Sequence, residues 1–139
     1  MNNFGYLIMD VAKELRYQLN DALKKAGVTS AQWAVIAQLE LAQVPMTSAQ
    51  VADEVGMDRA TISGVVKRLE TKELVTIQTS AEDRRARTLA LTASGEKVFD
   101  HCKRIANVQM SQFAAPLDQE EQETLVRLLI KLEEGHHVG

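Results

Sequence analysis

The 139-residue chain is 45% hydrophobic, enough for one compact core, and this excludes a disordered or fibrous protein. Only 4% of its residues are aromatic, so Leu, Val, Ile and Ala must build that core, which favours packed helices over a sheet sandwich. A formal net charge of -3 excludes attachment to nucleic acid by bulk positive charge, and a single cysteine, Cys102, excludes an intramolecular disulfide or a thiolate-rich metal cluster.

From Phe4 the residues Leu7, Ile8, Val11, Leu15, Leu19 and Leu23 recur at three- and four-residue steps, which predicts an amphipathic helix ending near Gly27. Thr29-Ser30-Ala31-Gln32 has the capping-box pattern and starts a second helix over Ser30 to Ala42. Pro45 breaks the chain. Thr47-Ser48-Ala49-Gln50 repeats the pattern and opens a short third helix that Gly56 ends, and Asp58 then caps a fourth with Ile62, Val65, Val66 and Leu69 on one face. The period next changes from 3.6 to 2: Leu74 to Thr79 and Arg87 to Leu91 read as two strands of a β-ribbon, joined by the polar stretch Ser80 to Ala86. Thr92 to Gly95 starts a fifth helix that Pro116 breaks, Asp118 with Glu121 caps a sixth, and Gly135 to Gly139 reads as a frayed tail.

The expected fold is therefore mainly α with a small β-ribbon in one domain. Residues 1–46 supply N-terminal scaffold and dimerisation helices, 47–92 a winged helix-turn-helix, 93–135 C-terminal dimerisation helices and 136–139 a tail. A short helix, a glycine turn and a second helix followed at once by a ribbon is the arrangement that lets the second helix enter a DNA major groove. Its apolar face must pack inward, which turns Arg59, Thr61, Ser63, Lys67 and Arg68 outward; Ser48, at the start of the preceding helix, joins this DNA-binding set. Gly64 and the short hydroxyls near the helix start let the backbone approach base edges. Such residues also occur on ordinary solvated faces, and the loop decides between the two readings: Arg84, Arg85 and Arg87 place three guanidinium groups where phosphate clamping or minor-groove insertion needs them. Asp83 would be repelled by phosphate, so it reads as a brace for Arg85.

The run Asp83-Arg84-Arg85-Ala86-Arg87-Thr88-Leu89-Ala90-Leu91-Thr92 resembles the wing motif of the MarR family of bacterial transcription regulators. The likeness extends to the long first helix, to Thr29-Ser30-Ala31-Gln32-Trp33 and to Ser48 through Leu74. It implies a paired Asp83 and Arg85, a homodimer interlocked through the first, fifth and sixth helices, and frequent control by a small phenolic or aromatic acid. Arg16, Tyr17 and Trp33 lie on helices that in this family border a ligand cleft, and would offer a carboxylate partner with aromatic walls; core packing and solvation explain the same residues equally well. Gly64 departs from the larger, often basic residue that many members carry there.

A dimer has support of its own, because the stripes Phe4, Ile8, Val11, Leu15 and Leu125, Leu128, Leu129, Ile130, Leu132 offer more apolar surface than one small domain covers. Double-stranded DNA is the expected partner, with two-fold symmetry implying a pseudo-palindromic operator, a repressor as the regulatory form, and a cytoplasmic location without a membrane span or secretion signal. No phosphate-cradling glycine loop, zinc-hydrolase motif or Ser/His/Asp partnership is present, so no enzyme, cofactor or metal is expected. Cys102 reads as a buried small hydrophobe and His136-His137 as part of the tail. The competing reading is a winged-helix protein-interaction module, which the sequence pI of about 5.6 favours.

Overall fold

Side-chain caps set where the helices start in the computed structural model, which describes residues 3–79 and 87–136 of the chain. Helix α1 (Phe4–Lys24) opens on Asn3, whose Oδ1 accepts from the Gly5 N–H at 2.8 Å. Helices α2 (Ser30–Ala42) and α3 (Ser48–Val55) each open on a reciprocal box. Gln32 N–H donates to Thr29 Oγ1 at 3.1 Å while Thr29 N–H donates to Gln32 Oε1 at 3.2 Å, and Thr47 with Gln50 repeat the pair at 3.1 and 2.9 Å. Helices α4 (Arg59–Thr71) and α5 (Ala93–Ala114) open on the one-way caps Asp58 and Thr92, and α6 (Gln119–His136) opens on the reciprocal Asp118–Glu121 pair. Each cap satisfies donors that the first helical turn leaves without partners, so the short polar residues read from sequence fix these starts to the residue.

The sheet has three strands where the sequence suggested two. Strands β2 (Val75–Thr79) and β3 (Arg87–Leu91) form the expected antiparallel ribbon, and β1 (Met46–Thr47) adds to the far side of β3 in the order β1-β3-β2. Leu89 stands at the junction, opposite Met46 on one side and Ile77 on the other. Two residues carry no readable period-2 pattern, and Thr47 also serves as the α3 cap, so local sequence disguises β1.

Val35, Ile36 and Leu39 of α2, Val51 and Ala52 of α3, Ile62, Val66 and Leu69 of α4, and Val75, Leu89 and Phe99 form one buried cluster. A smaller cluster of Leu23, Val28 and Cys102 joins α1 to α5. Burial pushes the Cys102 thiol pKa up. Between these units the chain is tied tightly: Thr92 N–H donates to Leu74 O at 3.1 Å, and Thr92 Oγ1 donates to Glu73 O at 2.7 Å while accepting from Gly95 N–H at 3.0 Å. A Cβ on Gly95 would stand 2.2 Å from Leu74 O, so only glycine allows α5 to start against the end of α4.

The terminal helices are differently placed. Phe4, Tyr6, Met9 and Val11 of α1 are exposed, and α6 has no buried residue. The expected tail also begins later than the sequence suggested: α6 continues through Gly135 to His136, because the hydrogen-bond ladder tolerates a glycine in the last turn. His137 and the rest of the tail lie outside the described residues. Among the described residues no helix is long and apolar enough to cross a membrane.

Candidate nucleic-acid interface

Helix α4 is held by one face and free on the other. Ile62, Val66 and Leu69 are buried at 3.6-residue spacing, which turns Ser63, Gly64, Lys67 and Arg68 outward, all of them exposed. The preceding turn is set by Gly56 at φ 72°, a left-handed conformation that side chains resist; its N–H and that of Met57 both donate to Ala52 O. This closes α3 and swings the chain so that Asp58 can cap α4.

Asp58 shapes what the N-terminal end of α4 presents. Its Oδ1 accepts from Thr61 N–H at 2.8 Å and its Oδ2 from the Thr61 hydroxyl at 2.6 Å. These bonds, the side-chain one first, hold the Asp58 carboxyl below the ordinary carboxylate pKa. The Thr61 hydroxyl proton is therefore committed within the chain. Arg59 is likewise engaged: its Nη2 lies 3.1 Å from Asp53 Oδ2 of α3, both side chains largely exposed. No local pattern signals this pair, since five residues, the Gly56 turn among them, separate the partners.

Ser48 is half-buried as the first residue of α3, and Arg87 is exposed at the start of β3, opposite Thr79 of β2. Arg84, Arg85 and the bracing Asp83 lie outside the described residues. Among the described groups, the exposed cations Lys67, Arg68 and Arg87 thus carry most of the positive charge predicted for this interface. Exposed cations of this kind are suited to phosphate oxygens, while the short residues between them keep the helix backbone accessible.

The three residues assigned to an effector separate. Arg16 and Tyr17 are exposed on α1, whereas Trp33 packs into both hydrophobic clusters and stacks on Phe99 with ring centroids 5.5 Å apart and planes 17° from parallel. Lys103 Nζ lies 5.7 Å from the centre of the same Phe99 ring. A shallow surface cleft between α1 and α2 is lined by other residues, Asn20, Lys24, Val28 and Thr29 among them. Among the described residues no group of three or more His, Cys, Asp or Glu side chains is placed to hold a metal ion.

Comparison with known proteins bears on both the core and the whole fold. The model of the MarR family matches residues 26–86, from just after α1 to the residue before β3. A probable transcriptional regulator from Pseudomonas aeruginosa is 28% identical, with a TM-score of 0.81 over 94% of this chain and 97% of that one. A MarR mutant from E. coli, crystallised with operator DNA, is 24% identical with a TM-score of 0.81, covering 92% of this chain and 91% of that one. Bordetella bronchiseptica BpsR, described in relation to regulation of its DNA binding by 6-hydroxynicotinic acid, is 23% identical with a TM-score of 0.82, covering 95% and 94%. The helix pair α3–α4 and strand β2 thus fall inside the MarR family match, and the terminal helices fall inside the fold that these solved structures share.

Proposed function

We propose that this chain binds a pseudo-palindromic operator as a homodimer and represses transcription by occupying it. The observation that carries the reading is the division of α4, whose buried Ile62, Val66 and Leu69 fix the helix while Ser63, Gly64, Lys67 and Arg68 stay free on its opposite side. Lys67 and Arg68 contact phosphate, Ser63 and Thr61 read base edges, and Ser48 donates to the backbone from the start of α3. Arg59 must exchange Asp53 for DNA. Arg87 and, by sequence, Arg84 and Arg85 grip the flanking minor groove, with Asp83 bracing Arg85.

Exposed Phe4, Ile8 and Val11 of α1 and Leu125, Leu128 and Leu129 of α6 support the dimer, since a lone chain leaves this apolar surface in water. Two-fold symmetry sets the recognition helices roughly 34–36 Å apart, one turn of DNA. Control by a small aromatic acid rests on Arg16, Tyr17 and Trp33 and on the BpsR likeness. Such an acid must use the Trp33 surface that Phe99 leaves uncovered.

Selection of bound fragments from random duplex DNA tests binding, symmetry and half-site spacing together. The selected duplex should bind with an affinity that falls steeply with salt, and Arg68→Ala should lower both the affinity and the salt slope, the latter by about 1. Binding that ignores salt would favour the protein-interaction alternative.

A further inference from the structure

The glycines of this chain divide by the reason each is there. Gly27 and Gly56 have φ of 76° and 72°, where a side chain is strained, and Gly95 lies against Leu74 O with no room for a Cβ. Gly64 meets neither condition. It lies near the middle of the 13-residue α4 without a positive φ, and a Cβ there would meet no described atom within 4 Å. Gly135 is equally open, but it sits in the last turn of α6, where a glycine costs little. A glycine in a helix interior loses stability relative to alanine because it orders the most flexible backbone, so Gly64 imposes a cost that nothing among the described residues offsets.

The surroundings of Gly64 indicate what does. One helical turn away on the N-terminal side stand Ala60 and Thr61, and on the C-terminal side Lys67 and Arg68, all exposed. The Thr61 hydroxyl donates to Asp58, so its proton is engaged within the chain. Lys67 and Arg68 would draw a phosphate strand toward this face, and Gly64 is where the approaching surface meets bare backbone.

We infer that Gly64 is the point of closest approach between α4 and the DNA duplex, a positioning residue that sets how deeply the recognition helix seats in the major groove. The inference rests on the DNA-binding function proposed above. A side chain at this position stands between backbone and duplex, lifts the helix, and lengthens the base contacts of Thr61 and Ser63 together. Nonspecific binding, which depends on phosphate contacts at a looser distance, is affected much less.

The test uses the full-length protein, the duplex obtained by selection and a random-sequence duplex. Gly64→Ala should raise Tm by roughly 2–8 °C through helix propensity alone, yet weaken selected-duplex binding by about ten-fold, the scale of one lost base contact. Gly64→Leu should weaken it further with Tm still at or above wild type, and random-duplex affinity should change by less than about three-fold in both. Opposite signs for stability and specific affinity are what a purely structural role does not produce. Tighter or unchanged binding by Gly64→Ala, with Tm raised, overturns the inference and leaves the DNA-binding function standing. A fall in Tm also overturns it, because the glycine would then serve packing. If the wild type binds no duplex in a salt-dependent manner, the proposed function fails and this inference fails with it.

Discussion

The winged segment and the terminal helices are built from similar apolar stripes but end in opposite environments. In α4 every third or fourth residue is buried, and α2, α3, the sheet and the start of α5 all close on the same cluster. In α6 an equally regular stripe, Leu125, Leu128, Leu129 and Leu132, stays 44 to 46% exposed, and α1 divides along its length, with Leu23 fully buried and Phe4 70% exposed. Periodicity therefore reports that a helix has an apolar face, and leaves open whether that face is covered by its own chain. The winged segment is complete within one chain. The outer half of α1 and all of α6 leave apolar residues exposed on the single chain, a surface that the proposed homodimer would cover.

Replacing Leu128 and Leu129 together by Asp should have the largest effect on that contrast, abolishing the dimer in sedimentation while leaving the helical signal of the winged segment. Wild-type Tm should rise with protein concentration and the variant's should not. A variant that remains dimeric would mean that α6 is covered in some other way. Next in size, Leu69→Ala should cost about 2–5 kcal/mol in urea unfolding, since it empties a fully buried position of the α4 face. A loss well under that would show the winged core to be as yielding as the termini.

Gly95→Ala tests the joint between the two regions, and forcing a Cβ against Leu74 O should cost about 1–3 kcal/mol. Because Thr92 and Gly95 tie the end of α4 to the start of α5, operator affinity should fall more than stability alone explains. The smallest effect concerns pH. Asp58 has a folded-state pKa below its unfolded value, so its contribution is present above the unfolded pKa and lost as pH falls through the folded one. Thermal melts should therefore lose stability on acidification below the ordinary carboxylate range, and Asp58→Asn, which still caps, should flatten that part of the profile.

Much of the local structure was legible before any coordinates. The Thr29, Thr47, Asp58 and Thr92 caps act within three residues, so the starts of α2 through α5 and the limits of β3 follow from short-range chemistry. The outward position of Ser63, Lys67 and Arg68 followed from the same periodicity that buried Ile62, Val66 and Leu69. The strand β1, by contrast, has two residues and exists because β3 offers it an edge, and the Asp53–Arg59 pair exists because the Gly56 turn folds α3 against α4. Trp33 illustrates the same limit: its sequence allowed either a cleft wall or a core residue, and only the arrival of Phe99 from α5, sixty-six residues away, supplied its stacking partner.

What the sequence determined alone was the register of helix starts, the apolar faces and the charge carried between β2 and β3, because each depends on neighbours within a few residues. The tertiary structure decided which faces are covered, which hydroxyls and guanidinium groups are already engaged, and which glycines serve the chain itself. Those depend on groups brought together from distant parts of the sequence, where no local pattern records the meeting.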